Sequence, residues 1–257
     1  MKTSLITISS LIFIVFGNSV FAQQRKALPT TKTRPVVSQK FNEIGQNAIV
    51  MDETLSVLRE KPSLFSRSIQ RMRRGRAVQI LGVSEADGVK FYRVTAPPKN
   101  YGWVQADAVF GKFRAADESR LADLVRASEG FDQIELAVEF FTLYPNSKFR
   151  PLILLLYGDL LEDIATKLSK TATSQLKRPE MAASAAPLHS YYLNYVSLDR
   201  FRKLGIIFLF NPATKLFHYN GASWAELVKK NAASTESAQA QKRLDSLKTK
   251  MEKTATK

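Results

Sequence analysis

Short hydrophobic runs with alternating polar positions occupy the stretch from residue 48 to residue 110. They are rich in β-branched and aromatic residues and are separated by Gly, Pro and polar clusters, which is typical of strands and turns. Asp87-Gly88 is a hairpin signal, because both positions tolerate a positive φ. Five short strands within about 65 residues favour a small closed barrel over an open sheet. The predicted strands are 48–50, 56–58, 77–81, 89–94 and 101–104.

After residue 115 the hydrophobic positions recur with a helical period of about 3.6 residues. Two stripes predict two helices, and Ser147 is a suitable N-cap for a third, largely apolar helix that continues to about Leu168. The Ala-, Ser- and Thr-rich stretch 170–187 is predicted as a loop with a short helix around Met181. The later elements are predicted as a helix at 188–198, a hairpin at about 205–220, and closing helices at about 223–230 and 234–253.

The first 22 residues have the three-part pattern of a secretory signal peptide. Lys2 supplies a positive start, 5–16 is mostly apolar and uncharged, and Ala22 is a small residue at the cleavage position. An uncleaved anchor and a buried helix are the alternatives, although a spanning helix needs about 20 apolar residues and this run is shorter. No later stretch is predicted to span a membrane. The mature chain is therefore expected to be extracytoplasmic, either periplasmic or secreted.

Residues 23–44 are predicted to form a basic linker. The segment contains five Lys or Arg residues against Glu43 alone, together with Pro29, Pro35 and few large apolar groups. Such a composition cannot bury enough surface to offset the entropy of ordering the chain. We expect a flexible tether, which could either lie along an anionic surface or serve as a solvated spacer.

The composition is that of a globular protein, and it excludes several kinds of chemistry. The chain contains no Cys and only two His, His189 and His218. It therefore has no disulfide framework, no thiol nucleophile, no Cys-ligated metal and no three-His metal site. Both His residues are expected to be structural. The sequence also lacks the glycine-rich phosphate loops and the G-x-S-x-G elbow.

Carboxylates at helical spacing are the remaining candidates for catalysis. The candidates are Glu135 with Glu139, and Asp159 with Glu162 and Asp163. Each set shares a helix face, as a glycosidase pair would need. Acids on surface helices are usually solvated, and Lys167 follows Asp163 by four residues as an ion-pair partner. We therefore predict a protein that is not an enzyme, with no catalytic residue, no cofactor and no metal.

Positive charge changes the picture more than any motif. The chain has 38 Lys and Arg against 23 Asp and Glu, a net charge of +15. Within 18 residues the single acid Glu60 is surrounded by Arg59, Lys61, Arg67, Arg71, Arg73, Arg74 and Arg76. Such a cluster attracts anionic cell-wall polymer, lipid headgroups or an acidic protein, unless it is only a solvated face. The predicted export makes nucleic acid an unsuitable partner.

The strand region resembles the bacterial SH3-like (SH3b) domain. The resemblance is carried by SVLREKPS, RMRRGRAVQILG, DGVKFYRV and YGWVQADAV in this order. Its most specific pieces are 56–59, Gly75 and 102–104. The resemblance implies a binding module, since members of the family commonly engage cell-wall peptides or act as targeting domains beside cell-wall hydrolases.

The resemblance also assigns roles to single positions. It places Phe91 toward the ligand groove. Gln105 and Ala108 stand where eukaryotic relatives have a groove Pro and Tyr, and Arg67 and Arg71 stand where polyproline binders have acids. A Pro-rich ligand is therefore not expected.

The helical region has a weaker likeness to tetratricopeptide-like proteins. EFFTLYPNSKFRP and AELVKKNAASTESAQAQKRL each predict a helix, a short break, a Ser cap and a second helix. This is similar to the helix-pair style of those proteins, without the period of about 34 residues of a tandem array.

These patterns predict a multidomain protein. A small all-β SH3-like barrel is expected at 45–112, followed at 113–257 by an all-α, repeat-like domain that carries one short β-hairpin. The expected function is that of an exported, non-enzymatic binding protein of the cell envelope. The barrel would engage cell-wall peptide or anionic polymer, and the helices would contact a protein partner. The candidate ligand-binding residues are Arg59, Arg67, Arg71, Phe91, Tyr101 and Trp103.

A pure protein–protein scaffold, in which the barrel is only a structural module, is the alternative function. Trp103 would then be a wall residue packed on its own turn rather than a stacking aromatic. The two functions differ in features that a structure can show. A wall binder requires an exposed aromatic groove around Phe91, whereas a scaffold requires a filled groove and an exposed apolar patch on the helices.

Overall fold

The computed structural model describes residues 42–96, 100–185 and 187–252. The signal peptide predicted for 1–22 and nearly all of the linker predicted for 23–44 lie outside these ranges. Phe41–Lys257 cluster into one compact unit, within which the strand and helical regions are not separated.

Seven strands between residues 47 and 110 pair into one antiparallel, curled sheet. The strands are β1 (Asn47–Val50), β2 (Val57–Arg59), β3 (Ser68–Arg71), β4 (Ala77–Ala86), β5 (Val89–Ala96), β6 (Asn100–Gln105) and β7 (Val109–Phe110). Their order across the sheet is β3-β2-β6-β5-β4-β1-β7. The pairing of β4 with β5 shifts register between Ile80 and Gly82. An irregularity of this kind bends a strand and increases the local twist.

The predicted fold class is wrong. All five predicted strands are present, but β3 and β7 join them, and the seven form one curled sheet instead of a closed five-stranded barrel. Within the described residues, β3 and β7 are the two edges of this sheet. The sequence pattern missed β3 because its residues are exposed or half-buried and show no hydrophobic alternation. β7 has only two residues and is too short to produce a pattern.

Helices dominate the described residues after 116. They are α1 (Asp117–Ala127), α2 (Gly130–Leu143), α3 (Arg150–Gln175), α4 (Arg178–Ser184), α5 (Leu188–Leu193), α6 (Asp199–Arg202), α7 (Ala222–Lys230) and α8 (Thr235–Glu252). Strands β8 (Phe208–Asn211) and β9 (Leu216–Tyr219) pair antiparallel within the span for which the sequence predicts a hairpin. Among the described helices, none is long and apolar enough to cross a membrane.

The central helix α3 is longer than the sequence pattern predicts and begins later. Ser147 is not its N-cap. The Ser147 hydroxyl accepts a hydrogen bond from the Phe149 amide in a turn before the helix. At the other end, the helix continues past Leu168 because polar residues extend its buried face. The Ser169 hydroxyl donates to Ala165 O at 2.7 Å and accepts from the Phe217 amide at 2.7 Å, which ties α3 to β9.

A shared hydrophobic cluster joins the sheet to the helices. Met51, which follows β1, and Phe110 of β7 are 0% and 2% exposed. They are buried with Leu121, Phe140 and Ile153 from the first three helices. The sheet and the first three helices therefore pack on each other through this cluster. The interior of the sheet and the centre of the helical part form two further clusters.

Candidate ligand-binding face

Alternation along three neighbouring strands separates an inner face of the sheet from an outer one. In β6, Gly102 and Val104 are buried, whereas the residues that alternate with them are exposed or half-buried. In β2, Leu58 is buried between two half-buried neighbours. In β5, Tyr92 and Val94 belong to the interior cluster of the sheet. Because successive side chains of a strand point to opposite faces, the outer face carries the intervening residues of these strands.

The outer face brings two arginines and a tryptophan into one row. Arg59 of β2 and Arg93 of β5 are both paired in register with Trp103 of β6, one from each side. Side chains directly opposite each other on one face of an antiparallel pair have Cβ atoms about 5 Å apart. An arginine therefore lies opposite the half-buried Trp103 on each neighbouring strand. Tyr101, two residues before Trp103 on the same face, is 57% exposed. We call Arg59, Arg93, Tyr101 and Trp103 the arginine–aromatic face.

The arginines of this region differ in how firmly the protein holds them. Arg59 donates from Nη1 to Ser66 O at 2.8 Å, which orients its side chain. Arg71 donates from Nη1 to the carbonyls of Glu53 and Thr54 at 2.7 and 3.1 Å. The side chain of Arg93 is exposed and makes no hydrogen bond or ion pair with the described residues. Its guanidinium can therefore donate all of its hydrogen bonds to a ligand.

A loop fastened to the sheet lies between β2 and β3. The carboxylate of Asp87, in the β4–β5 turn, accepts hydrogen bonds from the Ser63 hydroxyl at 2.7 Å and the Leu64 amide at 2.8 Å. These two hydrogen bonds lower the pKa of the Asp87 carboxyl. The carboxylate therefore keeps the loop bound to the β4–β5 turn until the pH falls through that lowered pKa. The loop presents Phe65, which is 89% exposed, and Arg67, which pairs with Glu60 at 3.5 Å.

Of the six predicted ligand-binding residues, the structure brings Arg59, Tyr101 and Trp103 together on one face. Arg67 is exposed in the neighbouring loop, and Arg71 lies on the edge strand β3. Phe91 is different, because its side chain is 0% exposed. Phe91 therefore does not line an open groove, and the exposed aromatic groove around Phe91 that was expected of a wall binder is not present in the described residues. The accessible aromatic surface is instead formed by Tyr101 and Trp103, two residues apart on β6.

Sequence reasoning missed two residues of this surface. The alternation that places Phe91 on one side of β5 also predicts that Arg93 lies on that side, because the two residues are two positions apart. No sequence pattern indicates that Phe65 belongs to this surface, because the loop around it shows neither strand nor helix periodicity.

One member of the predicted arginine cluster serves the fold. The side chain of Arg74 is only 14% exposed. It donates to Met51 O at 3.2 Å and to the Glu135 carboxylate at 3.0 Å, and thus connects the sheet to α2. These contacts occupy the guanidinium of Arg74, so Arg74 does not belong to the binding surface.

Of the carboxylates considered for catalysis, Asp159 and Glu162 are held by structural partners, whereas burial and the neighbouring Glu135 raise the pKa of Glu139. Glu162 accepts hydrogen bonds from His218 Nδ1, Lys250 Nζ and the Tyr219 amide at 2.9, 2.7 and 2.9 Å. Burial raises the pKa of Glu162, but these three donors outweigh burial and set the pKa at about 2. Asp159 binds Arg243 through both carboxylate oxygens at 3.0 and 3.2 Å. A carboxylate with a pKa of about 2 cannot act as a general acid near neutral pH.

Within the described residues, no group of three or more His, Cys, Asp or Glu side chains could hold a metal ion. No protein-family model matches the chain, and no curated protein or solved structure is significantly similar to it. The function is therefore argued from the geometry of the arginine–aromatic face.

Proposed function

We propose that this chain is an exported, non-enzymatic binding protein of the cell envelope, and that its arginine–aromatic face binds an anionic cell-wall polymer. The observation that carries the proposal is the row Arg59–Trp103–Arg93, in which an arginine lies opposite Trp103 on each of the two neighbouring strands. The exposed ring of Tyr101 extends the row along β6.

The chemistry of the face supports a ligand that combines sugar rings with anionic groups. The apolar side of a sugar ring packs against an aromatic ring, and phosphate or carboxylate groups accept paired hydrogen bonds from arginine. Strands β2, β5 and β6 contain no acidic residue that would repel such a ligand. The net charge of +15 further favours the approach of a polyanion.

Export is the second component of the proposal and rests on the signal pattern of residues 1–22. Intact-mass measurement of the protein from an envelope fraction should find the mature chain beginning at Gln23. A chain that retains Met1 and stays in the cytoplasm would contradict the envelope function.

Co-sedimentation with purified cell-wall sacculi over a salt series tests the binding function. The full chain is expected to pellet with the sacculi, and Arg93→Glu and Tyr101→Ala should each weaken pelleting about tenfold, because both side chains are exposed on the face. The matched control is Arg126→Glu, since Arg126 is an exposed arginine on α1 whose side chain is 58% accessible. Phe91→Ala is unsuitable, because the buried ring would be lost from the interior.

The salt series separates recognition from charge attraction. Screening shortens the Debye length from about 10 Å at 0.1 M to about 3 Å at 1 M salt. Specific binding through Trp103 and Tyr101 should leave measurable pelleting at high salt. Pelleting that vanishes with salt and falls equally with Arg126→Glu would show nonspecific attraction. No pelleting at any salt would favour the scaffold function.

A further inference from the structure

Two cavities lie side by side on the helical part of the molecule, along the second half of α3. One has a volume of about 850 Å³ and is lined by residues from Gln175 of α3 to Val196. The other has a volume of about 530 Å³ and lies between Phe131 of α2, α3 and Arg200 of α6. Val196 lines both cavities. We call the combined depression the α3 groove.

The wall of the groove on α3 is a straight ridge. Lys167, Thr171 and Gln175 recur every four residues and line the groove in that order. Residues at this spacing share one helix face, so the ridge is about 12 Å long between the first and last of them. Two to three turns of a second helix can lie along a ridge of this length.

The opposite wall is held in place by tyrosine hydroxyls. Tyr191 donates to Ala172 O at 3.2 Å, and Tyr195 donates to the Gln175 side-chain oxygen at 3.1 Å. The hydroxyl of Tyr192 lies 3.2 Å from the Thr173 hydroxyl. Three hydrogen bonds thus fix the residues around α5 against the end of α3. The groove is therefore formed before any ligand arrives, which lowers the ordering cost of binding.

The groove exposes apolar side chains that the fold leaves uncovered. Val196 is 71% exposed, and the neighbouring Leu193 is 44% exposed. Tyr191 and Tyr195 line one cavity, and Phe131 lines the other. Contiguous apolar surface of this kind on a folded protein commonly marks an interaction site.

Among the side chains that the structure describes, the charges that line the groove are positive. Lys177 lines the larger cavity, while Lys167 and Arg200 line the smaller one. No Asp or Glu lines either cavity in the described part of the chain. The Arg200 guanidinium lies 4.7 Å from the centre of the Phe131 ring, which holds it over the groove. Lys167 and Arg200 stand on two different elements of the smaller cavity, which favours a peptide with several carboxylates over the single headgroup of a lipid.

We propose that the α3 groove binds an acidic amphipathic helix of another protein. The apolar face of that helix would pack on Val196, Tyr191 and Phe131, and its flanking carboxylates would pair with Lys167 and Arg200. This is the helix-in-groove mode, in which apolar anchors recur at i, i+3 or i+4, and i+7. The groove lies on the helical part and shares no residue with the arginine–aromatic face, so the inference is independent of the polymer-binding function.

Selection from a random 16-residue peptide display library on the full chain tests the proposal, with counter-selection against Val196→Glu. The enriched peptides should carry net negative charge and apolar residues at helical spacing. Fluorescence polarisation with a labelled enriched peptide should show about tenfold weaker binding to Val196→Glu and to the Lys167→Glu/Arg200→Glu double variant.

Two controls match these changes away from the groove. Lys170→Glu reverses an exposed charge on α3 that lines neither cavity, and Ile44→Glu replaces a 48% exposed apolar residue of the strand region. Both should bind the peptide like the wild type, and so should Arg93→Glu. Thermal melts of all variants check that the fold is retained.

Several results would overturn the proposal. They are no enrichment, enrichment of neutral or basic peptides, and peptide binding that survives both groove variants. A concentration-dependent dimer that Val196→Glu abolishes would assign the groove to a second copy of this chain. Oleate binding that Val196→Glu abolishes, without any enriched peptide, would assign it to a lipid.

Discussion

Arg73 and Arg74 are adjacent in the sequence, yet the fold places them in opposite environments. Arg73 is exposed, whereas Arg74 reaches back to Met51 O and across to Glu135 of α2. The composition of the cluster cannot distinguish the two residues. Arg74 takes the structural role because α2 packs beside the β3–β4 turn and places Glu135 within its reach.

Arg74→Ala should lower the free energy of unfolding by about 2 kcal/mol, because it leaves a half-buried carboxylate and a carbonyl without their donor. Arg73→Ala should change it by less than about 0.5 kcal/mol. Urea denaturation of both variants at pH 7 measures the difference. Equal effects would show that the Arg74 contacts do not stabilise the protein.

Glu162 makes the stability of the protein depend on pH. Its pKa is about 2 in the folded protein, below the ordinary value of 4.5. A lowered carboxyl pKa stabilises the folded state above the ordinary value, and this contribution is lost as the pH falls from about 4.5 to about 2. Glu162→Gln should therefore cost about 3 kcal/mol at pH 7 and clearly less at pH 3. Chemical denaturation at both pH values checks this, with the exposed neighbour substitution Asp163→Asn as control.

At the scale of the element, the close packing of α3 against α7 depends on a glycine. Gly158 is buried in the middle of this helix, and a Cβ there would lie 2.2 Å from Trp224 Nε1 and 2.7 Å from Ser223 Oγ. The helix α7 can pack this closely only because position 158 has no side chain. The tryptophan is 2% exposed, so an added methyl group at position 158 would press on a ring that is packed into the core.

Gly158→Ala should therefore destabilise the protein, although the same change in an exposed helix interior stabilises by about 1 kcal/mol. Overpacking of a dense core costs about 1–3 kcal/mol, which exceeds the helix-propensity gain. Thermal denaturation should show a lower Tm. Thr166→Ala on the exposed side of α3 is the control and should raise or maintain the Tm. A raised Tm for Gly158→Ala would contradict the close packing of α3 and α7.

The local sequence pattern predicted the positions of strands and helices well, but it did not predict which residues pack against them. Alternation located β5 and placed Phe91 opposite the interior face, but its burial could not be predicted from the strand alone. The Ser63–Asp87 hydrogen bond joins residues 24 positions apart, and no local pattern reports such a contact. β3 was missed for the same reason, because its exposed residues are ordered by pairing with β2 rather than by their own hydrophobicity.

At the scale of the whole molecule, Met51 and Phe110 join the sheet to the helices in one hydrophobic cluster. Both residues are buried among α1–α3, and neither position differs in the sequence from an ordinary strand residue. The predicted two-domain division relied on the change of period near residue 113. A change of period marks a change of secondary structure, and it does not show whether the two parts share a core.

Unfolding should therefore occur in a single transition. Trp103 reports on the sheet and Trp224 on the helices, and they are the chain's two tryptophans. Fluorine NMR of 5-fluorotryptophan-labelled protein follows each residue without mutation. We expect both native signals to disappear at the same urea midpoint, as two-state unfolding requires. Separate midpoints would show two independently stable parts.

The free edge at β3 has a consequence for solubility. Within the described residues β3 ends the sheet, and an unpaired edge strand can template pairing with another molecule. Arg67 and Arg71 flank this edge with positive charge, which repels an identical copy. Arg67 and Arg71 are therefore expected to act against self-aggregation, and a variant neutral at both positions should precipitate at concentrations where the wild type stays dispersed.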